Sequence, residues 1–132
     1  SFSVLDADFQ PGCSKGYTNI NGESYCQNDL DILQDILQEN PHLPCVLYEL
    51  LVEGSSWDNG RLVSLDISNA GCGGEQPPSS LLFPETIGDL NMLETLEISL
   101  PLTSIPTNIA DLSNLKFLDL KKLTVLIILL LE

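Results

Sequence analysis

One hydrophobic phrase occurs three times between Leu62 and Leu120: Leu62-Val-Ser-Leu65-Asp-Ile67, Leu93-Glu-Thr-Leu96-Glu-Ile98 and Leu115-Lys-Phe-Leu118-Asp-Leu120. Each copy reads LxxLxL. The second and third copies begin 22 residues apart, and each follows a segment of the form Pro-x-x-Ile-x-x-Leu, Pro84 to Leu90 and Pro106 to Leu112. A period with two matched halves is a stronger constraint than any composition. A single unit of this size cannot bury its apolar side alone, so units must stack on one another, and about three are needed for stability. Stacked repeats build extended binding surfaces more often than catalytic centres.

The rest of the chain supports one ordinary domain with a core, 132 residues being too few for two. Residues 1 to 27 are polar, punctuated by Pro11-Gly12, Lys15-Gly16 and Asn21-Gly22, and read as an irregular lead-in. From Asn28 onward, Leu30, Ile32, Leu33, Ile36 and Leu37 mark one face at helical spacing, predicting a helix from about Asp29 to Glu39. Asn28 with Asp31 resembles a capping arrangement, and Asn40-Pro41 stops the helix because the residue before proline is driven out of the α region. Val46, Leu47, Leu50 and Leu51 repeat that spacing up to Gly54, although a strand from Cys45 to Leu51 fits nearly as well. Ser55 to Gly60 then reads as a turn into Arg61, with Trp57 closing the end of the core. The first repeat is irregular: its period is 31 residues, and Gly71, Gly73, Gly74, Pro77 and Pro78 predict an extra loop.

The residues Gly60 to Asn69, Phe83 to Leu90 and Ile105 to Leu115 resemble the extracellular leucine-rich-repeat family, such as plant receptor-like kinases and polygalacturonase-inhibiting proteins. The resemblance covers about residues 57 to 120. It implies an α/β solenoid, a short right-handed stack with each LxxLxL forming a parallel strand on a concave face. Residues 1–56 would form a helical, cysteine-bearing N-terminal cap and residues 57–132 two to three repeats, the last truncated. Leu62, Leu65, Ile67, Leu90, Leu93, Leu96, Ile98, Leu102, Ile105, Ile109, Leu112, Leu115, Leu118 and Leu120 would then stack into one core, each fully buried leucine or isoleucine contributing roughly 1.5–3 kcal/mol.

Strand alternation places the residues between these leucines on the opposite, concave face. They are Ser64, Asp66 and Ser68, then Glu94, Thr95, Glu97 and Ser99, then Lys116, Phe117 and Asp119. Neighbouring strands lie about 4.8 Å apart, so Asp66, Glu97 and Asp119 form an acidic column. Such a column either receives a basic or polyhydroxylated ligand or stands solvated and idle. Phe117 beside it is the sharper signal, because exposed aromatics anchor binding.

Chemistry beyond binding finds little to stand on. The formal charge is −14, with Lys15 and Arg61 the only cations before Lys116, which disfavours nucleic acid. His42, the only histidine, lies between Pro41 and Leu43 without any ligand or general-base spacing around it, and Gly71-Cys72-Gly73-Gly74 lacks the lysine of a phosphate-binding loop. No enzyme, metal or cofactor is expected.

Cys13, Cys26, Cys45 and Cys72 are widely spaced, which favours disulfides over a zinc site, against the alternative of four buried thiols. Three pairings are open, Cys13 with Cys26 being favoured as the shorter loop. Disulfides would place the chain outside the cell or at its surface. Leu123 to Leu131 is apolar over about nine residues, too few for a membrane span. It reads instead as a truncated or self-associating end. The sequence thus predicts a non-enzymatic module that binds a protein or basic peptide, a piece of a longer recognition protein. The alternatives are part of a receptor-kinase ectodomain, a secreted inhibitor of a polysaccharide-degrading enzyme, or a self-associating surface protein.

Overall fold

The computed structural model describes residues 13–41, 46–67, 81–98 and 107–120. The first described element is a hairpin, strands β1 (Tyr17–Ile20) and β2 (Glu23–Cys26), paired antiparallel. Its turn is Asn21-Gly22, both with positive φ (54° and 90°). This is the backbone twist that a two-residue hairpin loop demands and that Asn-Gly supplies. The reading of this stretch as irregular is therefore corrected. The alternation on either side of Asn-Gly was too short to register as a period.

Helix α1 (Gln27–Glu39) follows directly, two residues earlier than the apolar pattern suggested, and buries Leu30, Ile32, Leu33 and Ile36. Asn28 and Asp31 do not cap it. Cys26 holds the N-cap position with no side-chain cap bond. Instead the two side chains reach back to the Cys13–Gly16 loop: Asn28 Oδ1 accepts from the Lys15 backbone N–H at 2.9 Å, and Asp31 takes the Lys15 ammonium at 2.6 Å. A disulfide joins Cys13 to Cys26 and ties that loop to the start of the helix. Cys45 and Cys72 lie outside the described residues.

At its other end α1 stops at Asn40, as the Asn-Pro step requires. The Asn40 side chain, almost wholly buried, donates to the carbonyls of Ile36 (2.8 Å) and Leu82 (2.7 Å) and accepts from the Leu82 N–H (2.7 Å). One carboxamide thus plays the part of a strand for a chain segment 42 positions away.

Helix α2 (Leu47–Glu53) resolves the helix-or-strand choice in favour of helix, and Gly54 ends it with its N–H on the Leu50 carbonyl. Residues Ser55–Asp58 are strand β3 rather than turn. The reversal is confined to Asn59-Gly60, again with positive φ at both residues (52° and 79°). Strand β4 (Arg61–Asp66) returns antiparallel to β3. The register steps between Ser56 and Trp57, so that Ser56 faces Ser64 while Trp57 faces Leu62. Val63 is the extra residue of this bulge, which lets Leu62 and Leu65, three positions apart, both be fully buried. A short 3-10 turn (Glu85–Asp89) precedes β5 (Thr95–Ile98), and a second (Thr107–Asp111) precedes β6 (Phe117–Leu120). Strands β4, β5 and β6 are parallel, in the order β3-β4-β5-β6.

These elements correct the expected solenoid. Among the described residues they make a small α/β domain of two helices, a two-stranded sheet and a mixed four-stranded sheet whose first strand is antiparallel. The physical reason lies in what covers the leucines. Leu30, Leu33, Ile36, Leu50 and Leu51 from the helices join Leu62, Leu65, Leu93 and Leu96 in one core cluster, so helices complete a core that repeats alone were expected to fill. Of the anticipated core positions, Leu62, Leu65, Ile67, Leu90, Leu93, Leu96, Ile98 and Leu112 are buried, and Ile109, Leu115 and Leu120 pack against them. Leu118 is 42% exposed, and Leu102 and Ile105 lie outside the described residues. Trp57 packs against the core, its ring edge-on to Tyr25 at 4.8 Å and its indole N–H on Ser55.

Candidate functional site

The face of the four-stranded sheet turned away from the leucines is built in rows. Ser64, Thr95 and Phe117 are register partners across β4, β5 and β6, and Asp66, Glu97 and Asp119 form the next row. Because strand side chains alternate, both rows sit opposite Leu65, Leu96 and Leu118. Ser64, Asp66, Thr95, Glu97 and Asp119 are half-buried, whereas the Phe117 ring is 51% exposed. Ser56 of β3 extends the hydroxyl row beside Ser64. The surface therefore runs from three hydroxyls to an exposed aromatic, flanked by three carboxylates.

Glu94 and Lys116 stand just before their strands and fix the start of the parallel pair. The Glu94 carbonyl accepts from the backbone N–H of both Lys116 (2.8 Å) and Phe117 (3.1 Å), and the two charged groups meet at 3.8 Å. The Lys116 side chain remains largely in solvent and that of Glu94 about half so. Ser68 and Ser99 lie outside the described residues, as does His42. Among the described residues, no group of three His, Cys, Asp or Glu side chains could hold a metal ion. No helix there is long and apolar enough to cross a membrane.

Beneath this face lies a polar knot that the spacing of charges gave no reason to expect. Asp29 of α1 and Arg61 of β4 are both about 1% exposed, with Arg61 Nε on Asp29 Oδ2 at 2.9 Å. The same carboxylate accepts the Leu62 N–H at 3.0 Å, and the guanidinium also donates to Asn91 Oδ1 at 2.6 Å. One arginine so joins α1, β4 and the segment leading to β5. Local sequence carries no signal for it, since its partners lie 32 and 30 positions apart.

A depression of about 370 Å³ opens between α1 and the first 3-10 turn. Lys15, Asn28, Asp31 and Asp35 line one wall and Thr86, Asp89 and Asn91 the other. The Thr86 hydroxyl crosses it to donate to Asp35 at 3.0 Å. The Lys15 ammonium, itself raised in pKa by its hydrogen bond to Asp31, holds that carboxyl below the usual carboxylate range, with help from the Gln27 amide. This depression already contains its own cation, and the open sheet face is the better candidate for an external ligand.

No family model, curated protein or solved structure matches the chain.

Proposed function

We propose that the chain is a non-enzymatic recognition module that binds a basic segment of another protein on the open face of its four-stranded sheet. The observation that carries this reading is the exposed Phe117 ring, set in register with Thr95 and Ser64 and directly beside the carboxylate row Asp66–Glu97–Asp119. An aromatic anchor contributes affinity by burial on binding, and the neighbouring carboxylates select a cationic partner and steer its approach. The resemblance of the three LxxLxL phrases to leucine-rich-repeat proteins favours the same class. The Cys13–Cys26 bond is compatible with an extracellular setting.

A lysine-rich peptide is the probe, titrated by calorimetry against the whole chain. Binding should weaken about ten-fold or more in Phe117→Ala, as expected for an anchor of this kind. It should also weaken in a Glu97→Gln, Asp119→Asn double variant and fall with added salt. Equal affinity for all three proteins would refute the placement on this face.

A further inference from the structure

The two Asn-Gly turns are chemically equivalent in sequence and very unequal in their surroundings. Succinimide chemistry at an Asn-Gly step needs the glycine backbone nitrogen to reach the asparagine Cγ, which glycine permits because no Cβ stands in the way. Both asparagines are held in the left-handed region of a paired turn, with φ of 54° at Asn21 and 52° at Asn59, and closing the ring requires rotation about the asparagine ψ and χ1, so each turn must first open. What holds each turn closed therefore decides its rate.

The Asn21-Gly22 turn ends a two-stranded sheet in which only Cys26 is buried, and nothing lies within 4 Å of where a Gly22 Cβ would stand. Two-stranded hairpins are marginal on their own. This one is anchored at the far end, through Cys26, and at the turn the Gly22 N–H is held by the exposed Asn19 carboxamide at 3.1 Å. The Asn59-Gly60 turn is clamped from outside. The Tyr17 ring lies 2.6 Å from where a Gly60 Cβ would be, and the Gly60 carbonyl accepts the Cys26 N–H at 2.7 Å. The strands beyond it enter the core through Leu62 and Leu65.

We propose that Asn21 is a site of spontaneous deamidation in the folded protein and that Asn59 is protected from it. The Gly22 nitrogen loses its proton to solvent base and attacks Asn21 Cγ. The new C–N bond forms as the bond to Nδ2 breaks, and the amide nitrogen leaves as ammonia. Water then opens the ring. Cleavage at Cγ leaves aspartate, and cleavage at the backbone carbonyl leaves isoaspartate, with the chain running through the side chain. Either product adds one negative charge at the hairpin tip, and isoaspartate also lengthens the turn by one backbone atom.

The test incubates the intact protein in mildly alkaline buffer and follows both peptides by mass spectrometry, with isoaspartyl methyltransferase labelling as a second readout. Asn21 should convert about ten-fold or more faster than Asn59 in the native protein, and the two rates should converge in denaturant, where local opening no longer differs. Asn19→Ala, which frees the Gly22 N–H, should accelerate conversion at Asn21 alone. Equal native rates at the two sites, or a native Asn59 faster than Asn21, would overturn the proposal. So would a difference that persists unchanged in denaturant.

Discussion

Leu65, Leu96 and Leu118 occupy one row of the four-stranded sheet, each the second leucine of its phrase, yet the first two are fully buried and the third is 42% exposed. The same three-residue spacing produced the same strand and the same register, and burial still differed. At the β4 side, β3 closes the sheet edge while α1 and α2 close the leucine face and the Asp29–Arg61 pair ties the helix to the strand. At the β6 side, Phe117 and Leu118 are both exposed, on opposite faces. Phrase and register are properties of the local sequence, whereas the stabilisation drawn from them depends on what the rest of the chain lays against each copy.

The largest expected effect lies at the closed side. Asp29→Ala leaves the Arg61 guanidinium buried without its carboxylate and should cost about 3–5 kcal/mol in urea unfolding. A loss below about 1 kcal/mol would mean that the knot is not what separates the two sides. The leucine row tests the comparison directly. Leu96→Ala should cost about 2–5 kcal/mol as a buried truncation. Leu118→Ala should cost less than half as much, and equal losses would break the contrast. Between the two sides, Gly88 packs so closely against the second 3-10 turn that an added Cβ would stand 2.5 Å from the Asn108 carbonyl. Gly88→Ala should therefore cost about 1–3 kcal/mol through overpacking.

The smallest effect is at the surface pair Lys15–Asp31. The Lys15 hydrogen bond lowers the Asp31 pKa in the folded state, so the carboxylate's contribution is present above its ordinary value of 3.8 and is lost as pH falls through the folded value. The raised Lys15 pKa acts oppositely: its contribution is intact below 10.5 and lost as pH rises past the folded value. Asp31→Asn should lower Tm slightly at neutral pH and low salt. The difference from wild type should shrink in acid and in high salt, because both partners are solvent-exposed. A salt-independent difference would point to packing and not charge.

The strands of the three phrases, the helix ending at Asn40 and the favoured Cys13–Cys26 pairing were legible because each depends on neighbours close in sequence. The β1–β2 hairpin was legible in principle, since Asn21-Gly22 carries the turn by itself, but strands of four residues are too short to establish a period. The Asp29–Arg61–Asn91 knot could not be read: its members are 32 and 30 residues apart, and no local pattern distinguishes a buried aspartate on a helix from a solvated one. The solenoid expectation failed for a related reason. Repetition in sequence specified strand spacing, while the antiparallel β3 and the helices that share the core were set by contacts outside the repeats. On the candidate face, alternation sufficed to group Ser64, Asp66, Thr95, Glu97, Phe117 and Asp119, but not to foresee that only the Phe117 ring among them would stand mainly in solvent.

The Asn40 carboxamide has a consequence for how this chain can change. By holding both backbone groups of Leu82, it sets the position of the returning segment from the end of α1, irrespective of the path taken between them. Residue additions or deletions between β4 and Leu81 would then alter loop-closure entropy only slowly with length. The core would keep its alignment through such changes. A single buried amide thereby fixes where the chain re-enters the core, and replacing it with leucine would take that partner from both backbone groups of Leu82.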